Sequence, residues 1–160
     1  MQKNGSVMHY CLQNLEIKNY TKEEIEKTIE EMQKKQKLTE KQVEAVNIEK
    51  LFMITKSNLW QRMISAKAVY IETPFYINVL EEGEKVLVQG IIDCYFIDEE
   101  DKVVLLDYKT DYAQTEQELI DKYIVQLQIY KEAIEQALHQ EIDEMYIYSV
   151  YLNKEININA

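Results

Sequence analysis

A charged tripeptide closes the most apolar run of the sequence. Residues 103–106 are all aliphatic, and Asp107-Tyr108-Lys109 follows them directly. Because side chains alternate along a strand, Asp107 and Lys109 point to the same face, where a charge is costly unless it is paired or bound to a metal. The two residues could form a salt bridge at the end of a strand, or they could belong to a catalytic site.

A second carboxylate lies in the preceding apolar segment. Gly90-Ile91-Ile92-Asp93 belongs to a stretch that a turn at residues 98–102 joins to the run ending in Asp107. Counting back from this turn brings Asp93 level with Asp107 to within a residue or two. Two carboxylates and one lysine would then converge. Such oxygen ligands suit Mg²⁺ or Mn²⁺, which bind through one or two carboxylates plus waters and substrate phosphates.

Three further side chains could serve such a site. Gln126 and Tyr130 are four residues apart, so they stack on one face of the long helix predicted there. They could contact a phosphate or form ordinary amphipathic surface. His9 could be a metal ligand or a partly exposed surface residue.

The first half of the chain, about residues 6–66, is predicted to be helical. A short helix should follow Gly5 and Ser6, and capping boxes at Thr21 and Thr39 should start two more. Ser57 or Asn58 should open a fourth, short helix. The predicted apolar stripes are Met8-Cys11-Leu12-Leu15, Ile25-Ile29-Met32 and Val43-Val46-Leu51.

From about residue 69 to residue 152 the sequence predicts a sheet and one long helix. Pro74 should separate two strands or break one, because proline cannot donate to a central ladder. A capping box at Thr115 should start the long helix, which ends near His139. The predicted strands are 69–73, 75–80, 85–97, 103–109 and 145–152. We therefore expect a single α/β domain over residues 1–160, with a mixed central sheet flanked by helices.

The composition fits one globular domain. The 160 residues are 46% apolar and 29% charged, and this length suits a single core. No run approaches the roughly 18 apolar residues of a membrane span, and no secretory signal is present, so we expect a cytoplasmic protein without a membrane partner. Cys11 and Cys94 are too few for a disulfide framework or a four-thiolate cluster, and both are predicted to be buried.

The net charge of −11 argues against a nucleic-acid partner, because affinity for DNA comes largely from Lys and Arg. The distribution weakens this objection. Residues 34–67 contain eight basic and three acidic side chains, a balance of 8 − 3 = +5. This basic segment could contact DNA or a helicase, or it could be the solvated faces of ordinary helices.

Taken together, the motifs resemble those of the PD-(D/E)XK nuclease superfamily. The RecB-like branch matches best, and within it the nuclease modules of AddAB-type helicase–nucleases, with Ser6 in place of the branch's threonine. The resemblance implies a restriction-endonuclease-like fold. The matching segments, in order, are Gly5-Ser6-Val7-Met8-His9, Glu72-Thr73-Pro74-Phe75, Gly90-Ile91-Ile92-Asp93, Asp107-Tyr108-Lys109-Thr110, and Gln126 with Tyr130.

The resemblance implies a divalent-metal-dependent DNA nuclease that hydrolyses phosphodiester bonds in double-strand-break repair and recombination. Mg²⁺ or Mn²⁺ would be the cofactor. The implied metal ligands are His9, Asp93, Asp107 and the backbone carbonyl of Tyr108.

The same resemblance gives roles to the remaining residues. Lys109 would orient or help to deprotonate the attacking water and stabilise charge on the phosphate. Gln126 and Tyr130 would position the metal-bound water or the scissile phosphate. Glu72 would be an outer partner of Lys109 or of metal-bound water, or only a carboxylate at a strand edge.

The implied partners are DNA, a helicase module and an AddB-like subunit, and the isolated chain should be a monomer. No Gly-x-x-x-x-Gly-Lys-Ser/Thr pattern occurs, so ATP would not be bound by that route. The chain would be an excised domain or a short gene product. Two alternatives remain: a non-catalytic DNA-end or protein-interaction module of the same fold, and a stand-alone phage-type exonuclease, which would form a ring.

Overall fold

The computed structural model describes residues 4–158, and the side chains of residues 7–158. The chain divides into two compact units. The helical unit runs to Ser65 and adds Tyr108–Tyr112 and Tyr148–Glu155. The sheet unit holds Ala66–Asp107, Ala113–Ile147 and the residues from Ile156 onward. The single domain over residues 1–160 stays a prediction.

Five helices form the first half of the described chain: α1 (Asn4–Asn14), α2 (Lys22–Lys34), α3 (Glu40–Ala45), α4 (Ile48–Thr55) and α5 (Asn58–Ile64). The capping boxes at Thr21 and Thr39 are confirmed, because each hydroxyl accepts a backbone N–H and each N3 side chain accepts in return. Ser57 caps α5.

Two helix predictions are wrong. The helix predicted to follow Gly5 and Ser6 begins earlier, at Asn4. The single helix predicted from Thr39 is two helices, because the chain becomes extended at Val46, where ψ is 126°. Asn47 then caps α4, its side-chain oxygen accepting the N–H of Lys50 at 3.0 Å. This is the competition of an asparagine side chain with helix continuation.

The sheet has five strands in the order β1 to β5: β1 (Ala68–Glu81), β2 (Glu84–Ile97), β3 (Val103–Lys109), β4 (Glu144–Ser149) and β5 (Lys154–Ile158). β2 is antiparallel to both β1 and β3. Two bonds tie the ends of β3 to the segments flanking β4, Asp143 N–H to the Val103 carbonyl and Val150 N–H to the Lys109 carbonyl. From the first bond to the second, the residue numbers increase along both β3 and β4, so these two strands are parallel and the sheet is mixed. The predicted α/β class is confirmed, and the architecture is consistent with a restriction-endonuclease-like fold.

Two strand predictions need correction. β1 runs unbroken through Pro74, which lies opposite Ile91. β1 is an edge strand, so half of its N–H groups face away from the sheet and a proline is tolerated. The strand predicted to run to residue 152 ends at Ser149, whose hydroxyl accepts the N–H of Leu152 at 3.1 Å in the following turn. β5, beyond that turn, was not predicted.

The remaining connections place the chemistry-bearing residues. The side chain of Asp98 closes the β2–β3 turn by accepting the N–H groups of Glu100 and Lys102, at 2.9 and 2.8 Å. Thr115 caps the long helix α6 (Glu116–Leu138), which connects β3 to β4. The capping box predicted there is only half formed, because the Glu118 side chain accepts the N–H of Gln114 instead of that of Thr115. Among the described residues, no helix is both long and apolar enough to cross a membrane. The predicted burial of Cys11 and Cys94 is confirmed.

Candidate metal centre

The two predicted carboxylates lie on neighbouring strands of the sheet unit. The β2–β3 ladder ends at the pair Cys94 and Leu106, and Asp93 and Asp107 are the next residues in the same register. Asp107 is only 2% exposed, whereas Asp93 is half-buried. A buried carboxylate beside a second one is costly unless protons, donors or a cation compensate.

Glu72 occupies the equivalent level on β1. Ile71 pairs with Cys94 and Thr73 pairs with Ile92, so Glu72 falls opposite Asp93 at a gap in the ladder. Its φ of 53° is in the left-handed region, which non-glycine residues seldom adopt. Such strain is concentrated at functional sites. The side chain of Glu72 is exposed, as expected for a strand-edge carboxylate.

The pKa of Tyr130 on α6 is influenced by both carboxylates. Burial raises the pKa of the Tyr130 hydroxyl to about 12, and the negative charges of Asp107 and Asp93 act in the same direction. The phenol therefore stays protonated at neutral pH and can donate a hydrogen bond. The Tyr130 hydroxyl therefore lies in the electrostatic field of both carboxylates, and its role at the site stays a prediction.

A cavity of about 430 Å³ adjoins this part of the sheet unit. Gln126 and Tyr130 both line it, consistent with their predicted position on one helix face. The remaining lining is mostly apolar and comes from β1, β2 and α6: Phe75, Val88, Gln89, Gly90, Val125 and Ile129.

Two of these lining residues, Phe75 and Gly90, belong to the sequence motifs but had no predicted role. The ring of Phe75 packs edge-to-face on Tyr130, with centroids 5.4 Å apart and planes at 72°. A Cβ atom on Gly90 would lie 3.0 Å from Cε1 of Phe75. The structure thereby joins Gly90, Phe75 and Tyr130 in one line of contacts. Their order in the sequence motifs was the available signal, but it does not reveal the contact.

Within the helical unit, His9 on α1 meets the end of β3. Its Nε2 lies 2.7 Å from the backbone carbonyl oxygen of Tyr108, and the ring is half-buried. These are two of the four predicted ligand positions. The 2.7 Å contact is a hydrogen bond in which the ring Nε2–H donates to the carbonyl oxygen. Metal ligation by these two groups stays a prediction.

The predicted ligand set includes residues of both units, His9 in the helical unit and Asp93 and Asp107 in the sheet unit. Across the described side chains, no group of three or more His, Cys, Asp or Glu residues is placed to hold a metal ion. The set of His9, Asp93 and Asp107 therefore stays a prediction. The carboxylate pair alone still fits Mg²⁺, which commonly uses one or two carboxylates and keeps several waters.

Lys109, the last residue of β3, is half-buried two positions after Asp107. The basic segment is mostly exposed at the α2–α3 connection, where Lys34, Lys35 and Lys37 lie. At its far end, Lys67 pairs with Asp101 at 2.7 Å, which offsets part of the local positive charge. A role for this segment in binding stays a prediction.

Comparison with known proteins defines the class. The sequence profile of the PD-(D/E)XK nuclease superfamily matches residues 2–157, and the chain belongs to this superfamily. The solved structure described as "Crystal structure of SSO0001" covers 95% of this chain and 72% of its own, at 14% identity and a TM-score of 0.45. A likeness at that level supports no further conclusion.

Named relatives show which members of the superfamily this chain resembles. The chain is 39% identical to an ATP-dependent helicase/nuclease subunit of Clostridium perfringens, over 98% of this chain and 14% of that protein. It is 38% identical to the protein of the same name from Clostridium novyi, over 96% of this chain and again 14% of the relative. The chain therefore spans about a seventh of the length of the curated relatives it matches.

Proposed function

We propose that this chain is a divalent-metal-dependent nuclease that hydrolyses DNA phosphodiester bonds. One observation carries the proposal: Asp93 and the buried Asp107 continue the same strand register, and both charges act on the Tyr130 hydroxyl. Membership of a nuclease superfamily supports it. Asp93 and Asp107 would hold Mg²⁺ or Mn²⁺, with His9 and the Tyr108 carbonyl as the further ligands that the motif pattern implies.

The chain's own groups divide the remaining work. A divalent ion bound at the carboxylates would polarise a phosphate oxygen and lower the pKa of a bound water. Lys109 stabilises the negative charge that grows on the phosphate. Tyr130, neutral at physiological pH, donates a hydrogen bond, and Gln126 offers an amide from the same helix face. The attacking water oxygen forms a bond to phosphorus as the bond to the leaving sugar oxygen breaks, without a covalent intermediate.

The names of the relatives extend the proposal. They are ATP-dependent helicase/nuclease subunits, so we propose that this module works beside a helicase module and with an AddB-like second subunit in processing double-strand breaks. A helicase that feeds a strand to the module replaces intrinsic affinity with effective concentration. This suits a chain with a net charge of −11.

Cleavage of end-labelled DNA tests the proposal. Single-stranded and duplex substrates are incubated with the chain in Mg²⁺ and then in Mn²⁺. Asp107→Asn keeps the shape of the side chain but removes its charge, and Lys109→Ala removes the ammonium. We expect either change to lower the rate by about 10²-fold or more. Asp121→Asn, at an exposed position on α6, is the matched control and should leave the rate unchanged.

Mn²⁺ calorimetry separates the remaining cases. If the chain does not cleave DNA but binds Mn²⁺, and Asp107→Asn abolishes that binding, the metal site is intact and the chemistry depends on another module. If neither cleavage nor metal binding is found, the nuclease proposal fails and the non-catalytic module of the same fold replaces it.

A further inference from the structure

Two exposed tyrosines and a lysine form a cluster in the helical unit that the nuclease proposal does not use. The side chains of Tyr112 and Tyr151 are 65% and 47% exposed. Their rings meet edge-to-face, with centroids 4.8 Å apart and planes at 65°. Nζ of Lys50 lies 5.8 Å from the centroid of the Tyr151 ring and donates to the Tyr151 carbonyl oxygen at 2.9 Å. We call Tyr112, Tyr151 and Lys50 the tyrosine platform.

The fold places this platform where β3 ends. Tyr112 lies three residues after Lys109, in the connection to α6, and Tyr151 lies two residues after the end of β4. The two segments are joined beside Lys109, because the N–H of Val150 donates to the Lys109 carbonyl at 2.9 Å. The platform is therefore attached to the residue proposed to stabilise the scissile phosphate.

Hydrogen bonds hold the turn that carries Tyr151 in one conformation. Ser149 accepts the N–H of Leu152, and Asn153 closes the turn in the left-handed conformation with a φ of 54°. Lys50 adds a bond from α4 to the same turn. A preorganised aromatic surface loses less conformational entropy when it binds.

Exposed aromatic rings beside a cation are the surface that unpaired nucleic acid recognises. Bases stack on aromatic faces regardless of sequence, and lysine neutralises the neighbouring phosphates. In this edge-to-face pair one ring directs its edge at a face of the other, so each ring keeps at least one face that its partner does not cover. Lys50 belongs to the basic segment, the part of a strongly acidic chain that carries excess positive charge.

We propose that the tyrosine platform binds an unpaired stretch of the DNA strand, with at least one base stacked on Tyr112 or Tyr151 and a phosphate near Lys50. This inference rests on the proposed function and adds a docking surface for the strand next to Lys109. It requires single-stranded character at the platform, because bases within a duplex have no free face.

Binding without divalent metal tests the platform separately from cleavage. Anisotropy of a labelled oligothymidylate is measured at low salt in EDTA, beside an oligomer of the same length whose central nucleotides are abasic. We expect wild type to bind oligothymidylate more tightly than the abasic strand. Tyr112→Ala and Tyr151→Ala should each weaken oligothymidylate binding by on the order of ten-fold and leave abasic binding unchanged.

Conservative variants and a matched control sharpen the result. Tyr112→Phe keeps the stacking face and should retain wild-type affinity. Lys50→Gln should weaken both strands equally and lower the salt slope by about 1. Tyr76→Ala, which removes a 70% exposed tyrosine from β1, should change nothing.

Three outcomes would overturn the proposal: no binding by wild type at low salt, equal loss for both strands in Tyr112→Ala, or full affinity in both alanine variants. The last would leave the platform as a contact surface for protein. Because EDTA blocks cleavage in every arm, the binding result does not depend on the nuclease proposal. A chain that binds the strand as expected but neither cleaves DNA nor binds Mn²⁺ contradicts only the nuclease proposal.

Discussion

Substituting Gly90 by alanine should disturb Tyr130 through Phe75. Gly90 does not have a left-handed φ, so alanine fits the backbone. The new Cβ, however, would lie 3.0 Å from Cε1 and 3.1 Å from Cζ of Phe75, against about 3.5–4.0 Å for an ordinary carbon contact. The ring must move, and the adjoining cavity gives it room to do so.

The size of the effect follows from three terms. Losing the edge-to-face contact with Tyr130 costs about 0.5–1.5 kcal/mol, and residual crowding adds about 1 kcal/mol. Removing a glycine from the unfolded chain returns about 0.4–1 kcal/mol. The lost contact and the crowding together exceed the gain from removing glycine, so Gly90→Ala should lower the free energy of unfolding by about 1 kcal/mol.

A double-mutant cycle in urea isolates the ring as the cause. Phe75→Leu keeps a carbon at the δ position, where Phe75 Cδ1 is an acceptable 4.0 Å from the new Cβ, and removes the two close atoms. In that background Gly90→Ala should be neutral or stabilising. Gly83→Asn is the control in the same hairpin. Gly83 has open space around it, so the cost of the substitution comes from its φ of 82° and should be the same in both backgrounds.

The effect of the Phe75 ring on Tyr130 can be measured separately by NMR. In protein labelled at the tyrosine ζ carbon, the Tyr130 resonance, assigned by its loss in Tyr130→Phe, should shift in Gly90→Ala. Its Overhauser contact with the Phe75 ring should weaken. An equal cost of Gly90→Ala in both backgrounds, with the Tyr130 resonance unmoved, would refute the reasoning and assign the effect to the β2 backbone.

Three further outcomes are expected. The Tyr130 hydroxyl has a pKa of about 12 in the folded chain and an ordinary value of 10.0. Its contribution to stability is therefore complete below pH 10 and is lost as the pH rises toward 12. In urea titrations across that range, the free energy of unfolding of Tyr130→Phe should fall by about 1–3 kcal/mol less than that of wild type. Asp98→Ala should cost about 2–4 kcal/mol in urea because two N–H groups lose a charged acceptor, and a loss below about 1 kcal/mol would contradict this. Thr115→Ala should cost about 1 kcal/mol of unfolding free energy and Thr115→Ser almost nothing, since the cap hydroxyl accepts the N–H of Glu118.

The predictable parts of the fold depend on information within a few residues. The capping boxes at Thr21 and Thr39 and the single cap at Thr115 satisfy local N–H groups, and each starts a helix as expected. The β2–β3 register follows from a short turn, so counting back from it places Asp93 beside Asp107. Once a hairpin turn is identified, strand geometry fixes which side chains face each other.

The errors arise where a local signal competes with its surroundings. In the sequence, Asn47 cannot be distinguished from a polar residue on a helix surface. Only the structure shows that its side chain caps α4. β5 is five residues long, too short for its alternation to be distinguished from a loop before its partner strand is known. Pro74 excludes a central strand but not an edge strand, and the sequence does not show which strand forms the edge.

The same distinction separates the carboxylate pair from the other predicted site residues. Strand register alone brings together the carboxylates of β2 and β3, so their position was available from the sequence. His9 reaches the Tyr108 carbonyl across 99 positions, and Phe75 reaches Tyr130 from another element. No count along the chain can give these contacts. In the sequence they could be anticipated only as motifs that occur in a fixed order. For Gly90, Phe75 and Tyr130 the structure shows why the motifs occur together. Gly90 leaves space for Phe75, and Phe75 packs against Tyr130, whose hydroxyl lies in the field of both aspartates.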